Sequence, residues 1–195
     1  TGTVSGSGAL AQAGSGTLTL TGNNTNSGGV AVSAGTLAID ADAALGTGAL
    51  TLSGGSLTTT ADVTTDNAVA VSSASTISSS NDIVFSGALT GSSNLTVSGS
   101  GLIEFTGGAS GTGDLLQTAG TIKANSSIAK DVQVSGGTIQ GAGTIASLVM
   151  TGGTVAPGNS IGTLSISGNY TQGASTALTI EINSSGSTDV LAISG

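Results

Sequence analysis

Short runs in which aliphatic residues alternate with Thr, Ser or Ala recur along this chain. Leu50-Thr51-Leu52, Val132-Gln133-Val134 and Thr163-Leu164-Ser165-Ile166 are three of them. A period of two places every second side chain on one face, the pattern of a half-buried strand. Between the runs lie corners rich in Gly, Asn and Ser, which accept the backbone conformations of tight turns. The block from Leu50 to Leu57 returns as Val132 to Ile139 and again, close behind, as Leu148 to Val155. Parallel strands ordinarily need a crossover of a dozen or more residues, usually a helix. No helical pattern is present, so the crossover must be made of strands and corners. The predicted fold is all-β, a parallel β-solenoid with almost no α-helix.

A longer repeat overlies this rhythm. The stretch Gly14 to Asp40 returns, without a gap, as Gly99 to Asn125. Leu18, Leu20, Val30 and Leu37 are answered by Ile103, Phe105, Leu115 and Ile122. Self-similarity of this kind implies an array rather than a single globule. At roughly 20–25 residues per coil the chain makes about eight or nine coils, and at about 4.8 Å per strand spacing a rod on the order of 40 Å. The alternation directs Leu18, Leu20, Leu37, Leu50, Leu52, Ile103, Phe105, Ile122, Val132, Val134, Leu148 and Leu164 inward. Residues 61–80 depart from the repeat and leave the register least defined. No linker interrupts the chain, and no boundary falls before about Gly152. The expected organisation is a repeat stalk over residues 1–150, with residues 151–195 as C-terminal coils continuous with it.

Composition narrows the fold and the chemistry. The 195 residues include 34 Gly, 1 Pro, 2 Phe, 1 Tyr and no Trp. So few aromatics cannot fill a wide sandwich core, but stacked Leu, Ile and Val can fill a narrow lumen. Disorder is disfavoured by 37% hydrophobic residues and a mean hydropathy of +0.37. Net charge is −8, and Lys123 and Lys130 are the two cations. A nucleic-acid partner needs clustered Lys and Arg, so that class is excluded. No apolar run approaches the ~20 residues of a membrane helix, so no direct membrane insertion is expected. The absence of Cys removes disulfides and thiol chemistry. The opening at Thr1, without Met or a signal peptide, reads as a piece of a longer protein.

The segment Val155-Ala156-Pro157-Gly158-Asn159-Ser160-Ile161-Gly162-Thr163-Leu164 is followed by Asn169-Tyr170-Thr171-Gln172 and Thr188-Asp189-Val190-Leu191. This order resembles the C-terminal end of an autotransporter passenger, just upstream of the translocator barrel. The unit at Gly14 and Gly99 is similar to the passenger-associated transport repeat of the same proteins. The resemblance implies a right-handed parallel β-helix on the surface of a Gram-negative bacterium, delivered by type V secretion and attached to or released from the outer membrane. It also implies one partner, the translocator β-barrel of the same parent chain.

Candidate chemistry is sparse. With no His or Cys there is no Ser-His-Asp or Cys-His set, and no Gly-x-Ser-x-Gly elbow is present. The carboxylate pairs Asp40/Asp42 and Asp62/Asp66 could in principle hold Ca²⁺ or act as acid and base. No Arg, His or aromatic platform accompanies them, so they read as solvating corners. Gly111-Thr112-Gly113-Asp114 approaches a Ca²⁺-binding nonapeptide but does not iterate. Thr17, Thr19 and Thr21 would share an outer face, yet the triplet does not recur in the next coils, and β-propensity accounts for it. Sequons at Asn23, Asn94, Asn125, Asn169 and Asn183 match by composition. Phe85, Phe105 and Tyr170 read as lumen or corner filler. The expectation is no catalytic, cofactor-binding or metal site, and no cofactor.

Three function classes follow. The first is a structural stalk that promotes its own secretion by folding outside the outer membrane and displays upstream regions. The second is a surface adhesin or self-association module that binds host or bacterial surface ligands. The third, disfavoured, is a polysaccharide-active enzyme. Within the first, Thr151 to Gly195 is expected to nucleate the rod, with Leu178, Ile180, Ile182, Val190 and Ile193 or their neighbours inward. Ile180 and Ile182 would then each be worth roughly 2–5 kcal/mol against Ala.

Overall fold

The computed structural model describes residues 2–195. It is a parallel β-solenoid of about eight turns. The middle turns, from Leu50 to Phe105, run along three sheets. The five-stranded sheet begins at Leu10–Gln12, the eleven-stranded sheet at Thr17–Leu20, and the seven-stranded sheet at Val63–Thr65. All strand pairings between named strands are parallel, because each strand hydrogen-bonds to its counterpart one coil away. Among the described residues the one helical element is a 3₁₀ turn, Asp42–Leu45, in the second coil where the third sheet has not yet begun.

The register gives the length of every coil. Leu18 pairs with Leu37, Leu37 with Leu57, Leu57 with Ile77, Ile77 with Val97 and Val97 with Gln117, a nearly constant step. Thr59 and Ser79, stacked in this part of the rod, are 20 residues apart. Gln117 then pairs with Val134 and Val134 with Met150, which are shorter steps. Asp131 and Ser147, stacked in those coils, are 16 residues apart. The coils shorten because a corner is lost. In Ser127–Val134 and Thr144–Met150 one strand runs through where earlier coils have two strands and a turn. Ala109 marks the change, bridging Leu89 on one side and Ile128 on the other. The step lengthens again between Met150 and Gln172. Most coils are thus at or below the lower bound expected from the sequence.

Alternation does fill the lumen. Of the twelve residues expected inward, eleven are buried, and Leu18, in the first coil, packs half-buried against the core. Phe85 and Phe105 stack with ring centroids 5.6 Å apart and planes at 12°. Residues 61–80 join the stack, with Leu50 paired to Val69 and Val63 to Ile83, and carry one register shift where Leu52 pairs with Val71 but Ser53 with Ser73. Their irregular look comes from polar lumen residues that satisfy one another. The Thr59 and Ser79 hydroxyls lie 2.8 Å apart, and Thr65 Oγ1 donates to Asn67 Oδ1 at 2.8 Å. Burying such groups is tolerable only when they are paired in this way.

The long repeat changes face. In the first copy Leu18 stacks on Leu37 in the eleven-stranded sheet; in the second, Ile103 stacks on Ile122 in the seven-stranded sheet. Following the register coil by coil from Leu18 leads to Val97. Ile103, the counterpart of Leu18 in the repeat, lies past the next corner, in the strand Leu102–Phe105. The offset between the copies is therefore a set of whole coils plus one corner.

The C-terminal expectation is corrected for the five residues named, although Leu191, the neighbour of Val190, packs partly buried against the core. Leu178, Ile180, Ile182, Val190 and Ile193 are 41%, 40%, 71%, 45% and 49% exposed. The third strand of the last full coil is only Thr176–Leu178. The chain then leaves the parallel path and folds back, with Ile182 bridging Thr188 antiparallel. Alternating residues in such an excursion do not line a lumen. Leu164 and Ile166 are the last large apolar side chains to be fully buried.

Candidate functional site

The outward positions give each sheet a different surface. On the eleven-stranded sheet Thr17, Thr36, Ser56, Thr76 and Thr96 stack in one row. This hydroxyl row escaped sequence reading, which looked for the whole Thr-x-Thr triplet rather than one position per coil. The row ends at Leu116 and Gln133. On the seven-stranded sheet the corresponding residues are Val84, Glu104, Lys123 and Gln140. Lys123 Nζ lies 3.7 Å from Glu104 Oε2, a partly exposed pair of little energetic weight.

The carboxylates singled out by sequence are engaged at corners. Asp42 Oδ1 accepts the Asp66 amide N–H at 3.2 Å, Asp62 Oδ1 that of Asp82 at 3.0 Å, and Asp82 Oδ1 that of Leu102 at 2.9 Å. Each tethers its corner to the next coil. The structure therefore joins Asp42 to Asp66 and Asp62 to Asp82, rather than linking Asp40 to Asp42 or Asp62 to Asp66 through side-chain hydrogen bonds. Asp40 keeps a buried Oδ1 with no hydrogen-bond partner among the described residues. In the Gly111–Asp114 corner, the Asp114 N–H donates to Asn94 Oδ1 at 2.9 Å, and Asp114 Oδ2 accepts from Gln133 Nε2 at 2.8 Å. Among the described residues no three of His, Cys, Asp and Glu are grouped so as to hold a metal ion.

Among the buried polar residues not found from the sequence, four bind groups at corners. Asn67 Nδ2 donates to Gly46 O at 3.0 Å and Gly48 O at 2.7 Å. Gln117 Nε2 donates to Gly120 O at 3.0 Å and Thr138 O at 2.8 Å. Lys130 is 3% exposed, and its Nζ donates to Gly91 O at 3.1 Å and Gly113 O at 2.9 Å. The corner that would have covered those two carbonyls is missing from its coil, and the ammonium takes its place. Burial lowers the Lys130 pKa, and Asp114 pulls it partly back. Asp189, 5% exposed, is the fourth. Its Oδ1 accepts the Gly162 N–H at 2.9 Å and its Oδ2 the Glu181 N–H at 2.8 Å. Apart from Glu181 and Gly120, these partners are remote in sequence, so stacking rather than chain proximity defines most of them. Tyr170, which sequence reading placed as filler, has its pKa raised by burial and its hydroxyl donates to Gln172 Oε1 at 2.8 Å.

Two open depressions mark the surface. One of about 220 Å³ is lined by Leu116, Gln133, Val149 and Thr151 among others, and one of about 120 Å³ by Pro157, Asn159, Glu181 and Asp189 among others. Both offer apolar contact and hydrogen-bonding edges.

Residues 10–39 match the family model of the passenger-associated-transport-repeat. The matched segment holds Leu10–Gln12, Thr17–Leu20, Val30–Val32 and Thr36–Ile39, which are two strands of each of the first two sheets. No curated protein and no solved structure matches the chain. The repeat and the β-solenoid together fit the β-helix of an autotransporter passenger. The repeat family is structural. Passengers of this family imply a linked translocator domain in the parent chain and an extracellular or cell-surface location in Gram-negative bacteria.

Proposed function

We propose that the chain is a structural stalk that helps to draw its parent passenger across the outer membrane by folding outside, and that displays the regions upstream of it. The observation that carries this reading is the single continuous lumen, in which each coil pairs only with its neighbours along the axis. An array of this kind grows by templating, each coil forming on an edge already in place. Such growth can bias movement outward where no ATP is available. Residues 151–195 are proposed to form the first coils, just upstream of the barrel, and no residue is assigned a catalytic role.

The experiment is export of the full-length parent. Replacing the lumen residues Leu57, Ile77 and Val97 by Asn should stall the passenger, leaving its upstream part inaccessible to external protease. Replacing the outward residues Thr36, Ser56 and Thr76 by Ala should leave export unchanged. Equal surface exposure of the lumen variant and the wild type would overturn the reading. Loss of cell aggregation in the outward variant, with export intact, would instead support an adhesive role for the hydroxyl row.

A further inference from the structure

The two stretches Pro157–Gly162 and Thr188–Val190 are distant in the chain, Gly162 and Asp189 being 27 residues apart, and they meet at one carboxylate. We propose that Asp189 is the latch of the terminal coil. Its two oxygens hold the amides of Gly162 and Glu181, and its own N–H donates to Glu181 O at 3.0 Å. Val190 N–H then donates to Gly162 O at 2.9 Å, which starts the pairing of Val190–Ile193 with Thr163–Ile166. One side chain therefore fixes the corner, the base of the 181–189 excursion and the entry to the last strand.

Apolar burial contributes little here beyond Tyr170 and Leu191, which pack partly buried against the core. Beyond Ile166 the terminal segment leaves Leu178, Ile180, Ile182, Val190 and Ile193 at least 40% exposed. Among the described residues Asp189 and Lys130 are the only charged side chains that are buried. An ionised carboxylate out of water is costly unless hydrogen-bonded, and charge-assisted bonds to backbone N–H groups are among the stronger ones. The excursion itself is folded locally. Asn183 Oδ1 accepts the amides of Ser185 at 3.0 Å and Ser187 at 2.9 Å, and Gly186 turns the chain with φ +83°. Asp189 thus docks a preformed hairpin onto the rod.

Asp189→Asn keeps size and shape but turns one acceptor into an amide that faces an N–H donor. The test is hydrogen exchange on the whole chain, read segment by segment. Exchange at residues 158–166 and 181–193 should rise at least tenfold, with protection at 50–59 and 95–105 unchanged. Asp131→Ala, which removes only an exposed bond from Ser147 Oγ at 2.5 Å, should change neither region. Unaltered exchange at 158–166 and 181–193 would overturn the latch. So would a loss of protection along the entire rod, because Asp189 would then support the whole fold rather than one coil. The proposal rests on the stalk reading only for its consequence in export. If that reading fails, the exchange result stands. If the latch fails, export can still depend on the lumen residues.

Discussion

Phe105→Ala tests the packing of the lumen. Phe105 is fully buried in the fifth coil, with Phe85 stacked beside it in the fourth. In the seven-stranded sheet the register, carried one residue past Lys123, places Ala124 next in the column, too small to fill a void. The walls cannot close on that void, because neighbouring coils are held about 4.8 Å apart by backbone hydrogen bonds. Phe→Ala at such a site costs about 3–5 kcal/mol. That is a large share of the roughly 5–15 kcal/mol typical of a folded domain. Part of the loss belongs to the pair: a Phe85→Ala, Phe105→Ala double-mutant cycle should show coupling of about 0.5–1.5 kcal/mol. Phe105→Leu, which keeps more of the volume, should cost less than Phe105→Ala. Urea unfolding followed by far-ultraviolet circular dichroism gives the magnitudes. Hydrogen exchange gives the place, and protection should fall first at 83–85, 102–105 and 121–123, because solenoid coils couple mainly to their neighbours. Ile182→Ala is the internal reference: a residue 71% exposed should change stability by no more than about 0.5 kcal/mol. A Phe105→Ala loss below about 1 kcal/mol, or one equalled by Ile182→Ala, would refute the packing argument.

Two further outcomes follow from the corners and the buried lysine. Gly120 has φ +67°, and a methyl group there would lie 2.5 Å from Gly99 O and 2.6 Å from Gly101 O. Gly120→Ala should therefore cost at least about 2 kcal/mol, whereas Gly16→Ala, with nothing within 4 Å, should be near neutral by the same unfolding assay. Lys130 has a folded-state pKa below its ordinary 10.5, so the unfolded chain binds more protons in the alkaline window beneath 10.5. Its contribution to stability should rise with pH across that window, and the difference between wild-type and Lys130→Met pH–stability curves should show that rise. A flat difference would mean that the ammonium is no more costly to hold in the fold than in water.

Much of this architecture was legible because a strand in a solenoid reports its own faces. Leu50, Leu52, Val132 and Val134 could be oriented from their neighbours in sequence alone. The short return from Val132 to Leu148 gave the register directly, since those residues pair across adjacent coils. Residues 61–80 were obscured because Thr59, Thr65, Asn67 and Ser79 occupy lumen or corner positions where aliphatic residues were sought. Thr59 meets Ser79 across coils, while Thr65 bonds Asn67 two residues on and Asn67 reaches the Gly46 and Gly48 carbonyls of the preceding coil; the cross-coil contacts leave no local pattern. At Leu178 to Ile182 alternation was present but the coil did not close around it, so the same signal led to the wrong face. The latch at Asp189 was half visible: its two stretches stood out in the sequence, but their meeting depends on how the last corner stacks.

The displaced copy of the long repeat has a consequence for how such a rod can lengthen. A duplicated stretch need not span a whole number of coils to be accommodated. Leu18 over Leu37 and Ile103 over Ile122 make the same kind of contact on different sheets, so an aliphatic strand of the repeat fits either sheet. An insertion out of phase is absorbed by rotation about the axis rather than by a break in the lumen. Growth by unequal duplication is therefore free of any reading frame in three dimensions, and the rod's length can drift while its cross-section stays closed.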